Sequence, residues 1–209
     1  MNKLIVVGAG PHSEVVLDML QQRNEYEIVG LTDAKRRGDV LGCPILGTDE
    51  VVLPSLLKQG VKYAVVALGD NKIRKKVFQK LLALGYELIN VISPHAVLSR
   101  HVQLGRGIVI MPGAVVNVGT TIGDASIINT NASVDHDCLI GNFVHIAPGC
   151  AISGSTTIGN ETFIGTGSRI IDNIHIGNNV IVGAGSVVIR DLEDDCEAVG
   201  VPSKVIKRF

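Results

Sequence analysis

The segment "TIGDASIINTNASVDHDCLIGNFVHIAPGC", residues 121–150, repeats one pattern every six residues. An aliphatic residue occupies every sixth position, and a small residue follows many of them four places later. Extended in both directions, the aliphatic series runs through 16 positions without interruption, which marks an internal repeat. The series is Leu98, Leu104, Ile110, Val116, Ile122, Ile128, Val134, Ile140, Ile146, Ile152, Ile158, Ile164, Ile170, Ile176, Val182 and Val188.

A second period of 18 residues, equal to three hexads, lies over the first. Its markers are the dipeptides Leu104-Gly105, Ile122-Gly123, Ile140-Gly141, Ile158-Gly159 and Ile176-Gly177. Three short strands per turn, each pointing one aliphatic side chain inward, predict a triangular parallel β-helix of about five turns stacked at roughly 4.8 Å. The alternative, a β-sandwich, predicts a period of two and irregular turn spacing, and it fits this pattern poorly.

The residues before the repeat alternate between strand and helix patterns, which is typical of a small α/β domain. The patterns predict strands over 3–7, 26–33, 61–70 and 86–92, and helices over 14–23 and 71–85. The predicted fold class is therefore α/β plus all-β. A Rossmann-like domain at 1–92 precedes a β-helix domain with a C-terminal tail at 93–209.

Composition limits the kinds of partner that we expect this chain to bind and the cellular compartment in which we expect it. The chain has 209 residues, with 19 Lys and Arg against 20 Asp and Glu, so it offers no electrostatic reason to bind nucleic acid or an anionic membrane. The start, "MNKLIVVGAG", is too short an apolar run for a signal peptide or a membrane span. The cysteines lack paired metal spacing and are typical of reduced thiols. We expect a soluble cytoplasmic protein.

The turn "GAGPHS", residues 8–13, links the first strand to the first helix. Such a turn presents free backbone N–H groups to a phosphate. It is part of a dinucleotide fingerprint, with Ser13 at the position of the third glycine. Asp33 ends the second strand, near where an acid that binds a ribose is expected. Together these features favour a nucleotide-type ligand over the alternative, an ordinary α/β turn followed by an exposed aspartate.

Two histidines of the repeat project from different sides of the prism. His136 and His145 fall half a turn apart when positions are counted within the 18-residue period. Ligands of one metal ion must converge, so we expect no metal site here. If prisms pack side by side as a trimer, the His136 face of one chain meets the His145 face of its neighbour.

His136 lies between two acids in "VDHDC", residues 134–138. A carboxylate beside an imidazole holds the ring in one tautomer and raises its basicity, as a general base near neutral pH requires. The alternative interpretation is a solvated polar corner.

The hexad prism, "GAGPHSE", "VDHDCLIGNFVHIAPG" and the ending "AVGVPSKVIK" together resemble the bacterial left-handed β-helix, or hexapeptide-repeat, acyltransferases. The similarity is greatest to the NeuD-like branch, which acetylates nucleotide-linked amino-sugars or sialic acid, and it spans nearly the whole chain. The resemblance implies a left-handed coil and a homotrimer, with acetyl-CoA lying between adjacent prisms.

The resemblance also implies residue roles around the reacting atoms. His136 corresponds to the general base, and Asp137 corresponds to the acid that supports it, where the family more often has glutamate. Asn129 corresponds to a polar residue near the base. His145 corresponds to a residue that contacts acetyl-CoA from the neighbouring chain.

Further positions correspond to the family's donor and acceptor contacts. On the donor side these are Thr166 and Ala184, which stack one above the other in successive turns. On the acceptor side they are Gly10, Pro11, His12, Asp33, Ala34 and Gly69. Proline at position 11, where the family usually has glycine, removes one N–H donor from the first acceptor loop.

The function predicted from these features is acetyl transfer from acetyl-CoA to the amino group of a nucleotide-linked amino-sugar, by direct attack and with no metal. An O-acetyltransferase acting on sialic acid or another hydroxyl acceptor is the alternative enzyme. A non-catalytic protein that uses the same prism for binding is the third possibility, and the His-Asp pair disfavours it.

Overall fold

The computed structural model describes residues 1–209, which form two compact units. The first unit is Met1–Pro94 and the second is His95–Phe209. None of the helices is both long enough and apolar enough to cross a membrane.

The first unit is an α/β sheet with three helices: α1 (Pro11–Arg23), α2 (Asp49–Lys58) and α3 (Asn71–Leu84). Its strands are β1 (Asn2–Val7), β2 (Tyr26–Thr32), β3 (Asp39–Val40), β4 (Cys43–Gly47), β5 (Tyr63–Val66), β6 (Glu87–Leu88) and β7 (Val91–Ile92). Six of them form a sheet in the order β3-β4-β2-β1-β5-β6, in which only the β3–β4 pair is antiparallel. This sheet confirms the predicted Rossmann-like fold class.

Strand β1 forms the centre of the core of this unit. Leu4, Ile5 and Val6 are fully buried, as expected for a central parallel strand covered on both faces. At its end, Val7 pairs with Thr32 on one side and with Val66 on the other. The carboxyl ends of β1, β2 and β5 therefore meet at one edge, which is where open α/β sheets bind their ligands.

The second unit is built from sixteen two-residue strands, β8 to β23. They are Val97–Leu98, Gln103–Leu104, Val109–Ile110, Val115–Val116, Thr121–Ile122, Ile127–Ile128, Ser133–Val134, Leu139–Ile140, His145–Ile146, Ala151–Ile152, Thr157–Ile158, Phe163–Ile164, Arg169–Ile170, His175–Ile176, Ile181–Val182 and Val187–Val188. The second residue of every strand is the aliphatic hexad residue, so the period-six prediction is confirmed position by position.

These strands form three parallel sheets around a left-handed triangular β-helix. One sheet runs β23-β20-β17-β14-β11-β8, the second runs β21-β18-β15-β12-β9, and the third contains β10, β13, β16, β19 and β22. From β8 to β20 each strand pairs with the strand 18 residues later, as Ile128 does with Ile146. The third sheet continues into β24 (Cys196–Gly200), which forms an antiparallel pair with β25 (Ser203–Arg208).

Two kinds of side chain fill the interior of the β-helix. From Ile110 to Val188 every hexad aliphatic is buried, and full burial of such a side chain contributes about 1.5–3 kcal/mol. Several of the small residues four places later carry hydroxyl groups that bridge successive turns. Thr162, for example, donates its Oγ1 proton to the Gly177 carbonyl at 2.8 Å and accepts from the Val180 N–H at 3.0 Å.

Candidate active site

His136 lies on an exposed corner of the β-helix, just after β14. Its side chain is 53% exposed, so the imidazole is accessible from solvent. The corner turns at the next residue, Asp137, whose φ of 57° lies in the left-handed region. Aspartate is among the few non-glycine residues that adopt this conformation readily.

The corner geometry brings the Asp137 carboxylate back to the imidazole. Asp137 Oδ2 lies 3.0 Å from His136 Nδ1. An ionised carboxylate can only accept a hydrogen bond, so Nδ1 carries the proton and Nε2 presents a lone pair. The aspartate side chain is thus long enough to reach the imidazole, although the resemblance led us to expect a glutamate here.

The environment of His136 favours its protonated form. The hydrogen bond that Nδ1 donates to the Asp137 carboxylate is the main cause that raises the pKa of the imidazole, and the charges of Asp135 and Asp137 act in the same direction. A more basic imidazole accepts a proton more readily, which suits a general base.

Asp135 fixes the backbone beneath the imidazole. Its Oδ1 accepts the His136 backbone N–H and the Asn117 side-chain N–H, both at 2.8 Å. The Asn117 hydrogen bond is the main cause that lowers the pKa of Asp135, so this carboxylate is ionised at neutral pH. Both side chains line a polar cavity of about 260 Å³, together with Ser133, Ala151, Ile152 and Ser153.

His145 and Asn129 lie together in a different part of the β-helix. Asn129 Nδ2 is 3.0 Å from His145 Nε2, and the His145 ring packs edge-on against Phe163. These residues belong to the sheet of β13, β16 and β19, whereas His136 follows β14 in another sheet. Within one chain, then, Asn129 accompanies His145 rather than the His136–Asp137 pair. His145 is 9% exposed.

Thr166 and Ala184 occupy equivalent positions in successive turns, as predicted. Both are exposed, and the Gly185 N–H donates to the Thr166 carbonyl at 2.8 Å. Beside them, Gly165 lies so close to the next turn that a Cβ there would be 2.6 Å from the Ala184 nitrogen. The backbones of successive turns therefore approach closely at this column.

The first-unit residues that the resemblance assigns to the acceptor gather at the carboxyl edge of the sheet. Helix α1 begins at Pro11, and Gly10 precedes it with no side-chain cap. Ser13, at the position of the missing third glycine, is fully buried, and its hydroxyl donates to the Gly10 carbonyl at 2.6 Å. Serine is accommodated because its hydroxyl is satisfied within the turn itself.

Asp33 adjoins this loop from the end of β2. Its Oδ1 accepts the backbone N–H groups of Lys35 and Arg36 at 2.8 Å, and its Oδ2 lies 3.4 Å from the Ala9 nitrogen. The Arg36 N–H is the main cause that lowers the pKa of Asp33. The next residue, Ala34, is exposed.

Arg74 is a buried cation beneath the third loop, which contains Gly69. It is fully buried, and its guanidinium donates to the Leu68 and Gly69 carbonyls at 3.2 and 2.8 Å. His12 also lies in this region. Burial first, and then the charge of Arg74, lower the pKa of His12 to about 4, so its imidazole is neutral at physiological pH.

The cysteines near the corner are part of the interior. Cys138 donates to the Ser153 carbonyl at 3.3 Å, and Cys150 donates to the Gly165 carbonyl at 3.1 Å, so both occupy the slot that hydroxyl residues fill elsewhere. Burial is the main cause that raises the pKa of both thiols, which disfavours the nucleophilic thiolate. No three His, Cys, Asp or Glu side chains converge as metal ligands would.

Sequence reasoning missed Asn117 and Asp135 as supports of the His136 corner in the second unit and, separately, the buried Arg74 in the first unit. Asn117 and Asp135 are 18 residues apart, so the repeat itself was the signal that pairs them. No feature of the sequence indicated that Arg74 is buried, because an arginine in a helical pattern is normally expected to be exposed to solvent.

Comparison with known proteins identifies the fold and the family. Residues 3–81 match the PglD N-terminal domain family, and residues 155–190 match the bacterial transferase hexapeptide family. The chain is similar to a perosamine N-acetyltransferase from Caulobacter crescentus, solved as a histidine-to-asparagine mutant in complex with CoA and GDP-perosamine. The two sequences are 40% identical, and the structures superpose with a TM-score of 0.96. The match covers 99% of this chain and 98% of that one.

Two further similar proteins are also acetyltransferases. One is the acetyltransferase domain of PglB from Neisseria gonorrhoeae FA1090 in complex with acetyl coenzyme A. It is 39% identical in sequence with a TM-score of 0.93, and the match covers 99% of this chain and 100% of that one. A GDP-perosamine N-acetyltransferase from Escherichia coli O157:H7 is 30% identical over 129 residues, or 59% of this chain. The match spans 57% of the length of that curated relative.

A Rossmann-like unit followed by a hexapeptide-repeat β-helix with a His-Asp corner defines a class, the hexapeptide-repeat acyltransferases. Within that class, the chain belongs to the NeuD- and PglD-like family, since it matches a family member along almost its whole length. The resemblance inferred from the sequence motifs is confirmed.

Proposed function

We propose that this protein transfers the acetyl group of acetyl-CoA to the amino group of a nucleotide-linked amino-sugar. The observation that carries the proposal is the His136–Asp137 pair. It combines an accessible imidazole, a 3.0 Å hydrogen bond that fixes the tautomer, and a raised pKa, on a chain similar throughout to sugar-nucleotide N-acetyltransferases.

In the proposed reaction the amine nitrogen attacks the thioester carbonyl carbon, and the C–S bond breaks as the new C–N bond forms. His136 Nε2 takes the proton that the nitrogen loses, and CoA leaves as the thiolate or, after reprotonation, the thiol. General-base help of this kind contributes about 10²–10⁴-fold to the rate. Positioning of the two substrates supplies much of the rest.

The donor is proposed to lie along the column of Thr166 and Ala184, with His145 contacting it. That column and His136 occupy different sides of the prism. The acetyl group therefore reaches His136 most simply in a homotrimer, where the donor side of one β-helix faces the His136 corner of its neighbour. Closed cyclic assemblies are the usual result of such head-to-tail contacts.

The acceptor's nucleotide is proposed to bind at the carboxyl edge of the first unit's sheet. Gly10, Pro11 and His12 begin α1 there, and an exposed helix N-terminus favours phosphate. Asp33 and Ala34 flank this loop and suit a ribose or base contact, and Gly69 closes the third side. Asn129 is proposed to contact the sugar near the reacting amine. GDP and UDP sugars are the acceptors named for the relatives.

The test of this function is an acceptor panel with acetyl-CoA, read as release of free thiol. Nucleotide-linked amino-sugars are expected to react, whereas the matching hydroxyl sugars and sialic acid are not. Reaction with hydroxyl acceptors alone would replace the proposal with O-acetylation, and failure of every acceptor would refute transferase activity.

His136→Ala is expected to lower kcat/KM by at least about a hundredfold without unfolding the protein. His175→Ala is the matched control, because His175 is an exposed histidine on β21, outside the proposed site. Turnover close to that of the parent protein in the His136 variant would exclude the proposed general base.

A further inference from the structure

The imidazole of His136 lies directly against a glycine of the next turn. A Cβ built on Gly154 would lie 2.5 Å from His136 Cε1, 2.6 Å from Nε2 and 3.0 Å from Nδ1. These separations are far inside van der Waals contact, so the ring occupies the space that any side chain at this position would need.

Backbone conformation does not explain this glycine. Gly154 has no positive φ, and the corner is turned at the next residue, Ser155, whose φ is 56°. His136 and Gly154 occupy the same corner in successive turns. In the turn before His136 this corner holds Val118, and in the turn after Gly154 it holds Asp172, so both neighbouring turns carry a side chain here. The coil therefore accepts side chains at this corner, and Gly154 is exceptional only because it faces the His136 ring.

We propose that Gly154 is a positioning residue for the general base. It acts as a flat floor on which the imidazole rests, while the Asp137 carboxylate holds Nδ1 from the side. The two contacts together define both the tilt of the ring and the direction of the Nε2 lone pair. The catalytic effect of Gly154 rests on the proposed function, whereas the contact between Gly154 and the His136 ring does not depend on it.

Ala at position 154 would force the exposed ring away from the corner, because the ring is free to move into solvent and the backbone is not. The displaced ring loses its hydrogen bond to Asp137, which is the main cause of its raised pKa. Gly154→Ala is therefore expected to lower kcat on the order of a hundredfold, the usual effect of a misplacement of about 1 Å. The KM for the acceptor and the affinity for acetyl-CoA are expected to change by less than about twofold.

The decisive readout is the titration of His136 followed by NMR of the ring Cε1 proton. In Gly154→Ala the pKa of His136 is expected to fall relative to the parent protein, whereas Asp172→Ala, at the same corner one turn higher, is expected to leave it unchanged. A loss of kcat with an unaltered His136 titration would reduce Gly154 to a merely structural role and overturn the proposal.

A double-mutant cycle keeps the inference testable if Gly154→Ala lowers stability. With His136 already replaced by alanine, the added methyl group has no ring to displace. Gly154→Ala should then lower the unfolding midpoint less in the His136→Ala background than in the parent protein. Equal losses in both backgrounds would refute the contact. Because this cycle and the NMR titration need no turnover, they remain valid if the proposed transferase activity fails.

Discussion

At the scale of single residues, the proposed chemistry depends on how a corner of the coil presents adjacent side chains. Asp137 occupies a left-handed corner, and this conformation turns its carboxylate toward the ring that precedes it. The short side chain of an aspartate therefore reaches the imidazole, since the corner turns the carboxylate toward the ring.

The pH dependence of the reaction follows from this contact. A general base works in its neutral form, so kcat/KM should rise with pH through the pKa of His136, which Asp137 raises. Asp137→Asn removes the charge, lowers the pKa of His136, and should move the acidic limb of the profile to lower pH. The plateau should also fall, because a less basic imidazole accepts the proton less readily.

Asp172→Asn is the matched control for this measurement, because Asp172 is an exposed acid at the same corner two turns above His136. Its pH–rate profile should coincide with that of the parent protein. If the acidic limb of the Asp137→Asn profile stays at the same pH as in the parent protein, Asp137 does not raise the pKa of His136.

The sequence was enough to find His136 and Asp137, because adjacent residues stay adjacent in any fold. It also predicted that His136 and His145 project from different sides, since the 18-residue period fixes angular position. The floor under the ring could be found only by applying that period to His136 itself, which leads to Gly154. Arg74 was beyond such reasoning, because only the three-dimensional packing shows that its guanidinium is buried under the loop of Gly69.

At the scale of elements, the β-helix depends on hydroxyl groups as well as on aliphatic packing. Thr162 satisfies both the Gly177 carbonyl and the Val180 N–H inside the coil. Thr162→Val preserves shape but leaves both groups without this partner, so the free energy of unfolding should fall by about 1–3 kcal/mol. Chemical denaturation of the two proteins would measure the difference.

Thr157→Val provides the comparison for that substitution, because Thr157 lies on the outer side of β18 and is only partly buried. Its effect should stay within about 0.5 kcal/mol, as is usual for surface positions. If both variants lose the same stability, the loss of any threonine hydroxyl, rather than the interior hydrogen bonds of Thr162, explains the effect.

Elements that repeat were predictable throughout, and the irregular elements of the first unit only in part. All sixteen short strands follow the hexad series because one aliphatic side chain per strand must enter the prism. Helix α2 escaped prediction, since it is short and contains Pro54, a residue that usually argues against a helix interior. The predicted final strand over 86–92 is interrupted and forms the separate strands β6 and β7.

At the scale of the whole molecule, the proposed reaction depends on an assembly of identical chains. The donor column of Thr166 and Ala184 and the corner of His136 belong to different sides of one prism. A closed ring of three prisms would place a donor column beside every corner, using one head-to-tail contact three times. Each proposed active site would then need two chains, and a single chain would hold two incomplete halves.

Complementation between two inactive variants tests this arrangement. His136→Ala removes the base but leaves the donor column intact, and Ala184→Tyr fills the donor column but leaves the base intact. Either variant alone should be nearly inactive. In a mixed ring of three, whatever its composition, only one contact joins an intact corner to an intact column, so purified mixed trimers should show about one third of the parent activity. Two differently tagged variants, co-expressed and purified through both tags, supply that material, and separately purified variants mixed without subunit exchange are the control. Mixed trimers that stay inactive would place base and donor in the same chain, because only then would no combination of the two variants contain a complete site.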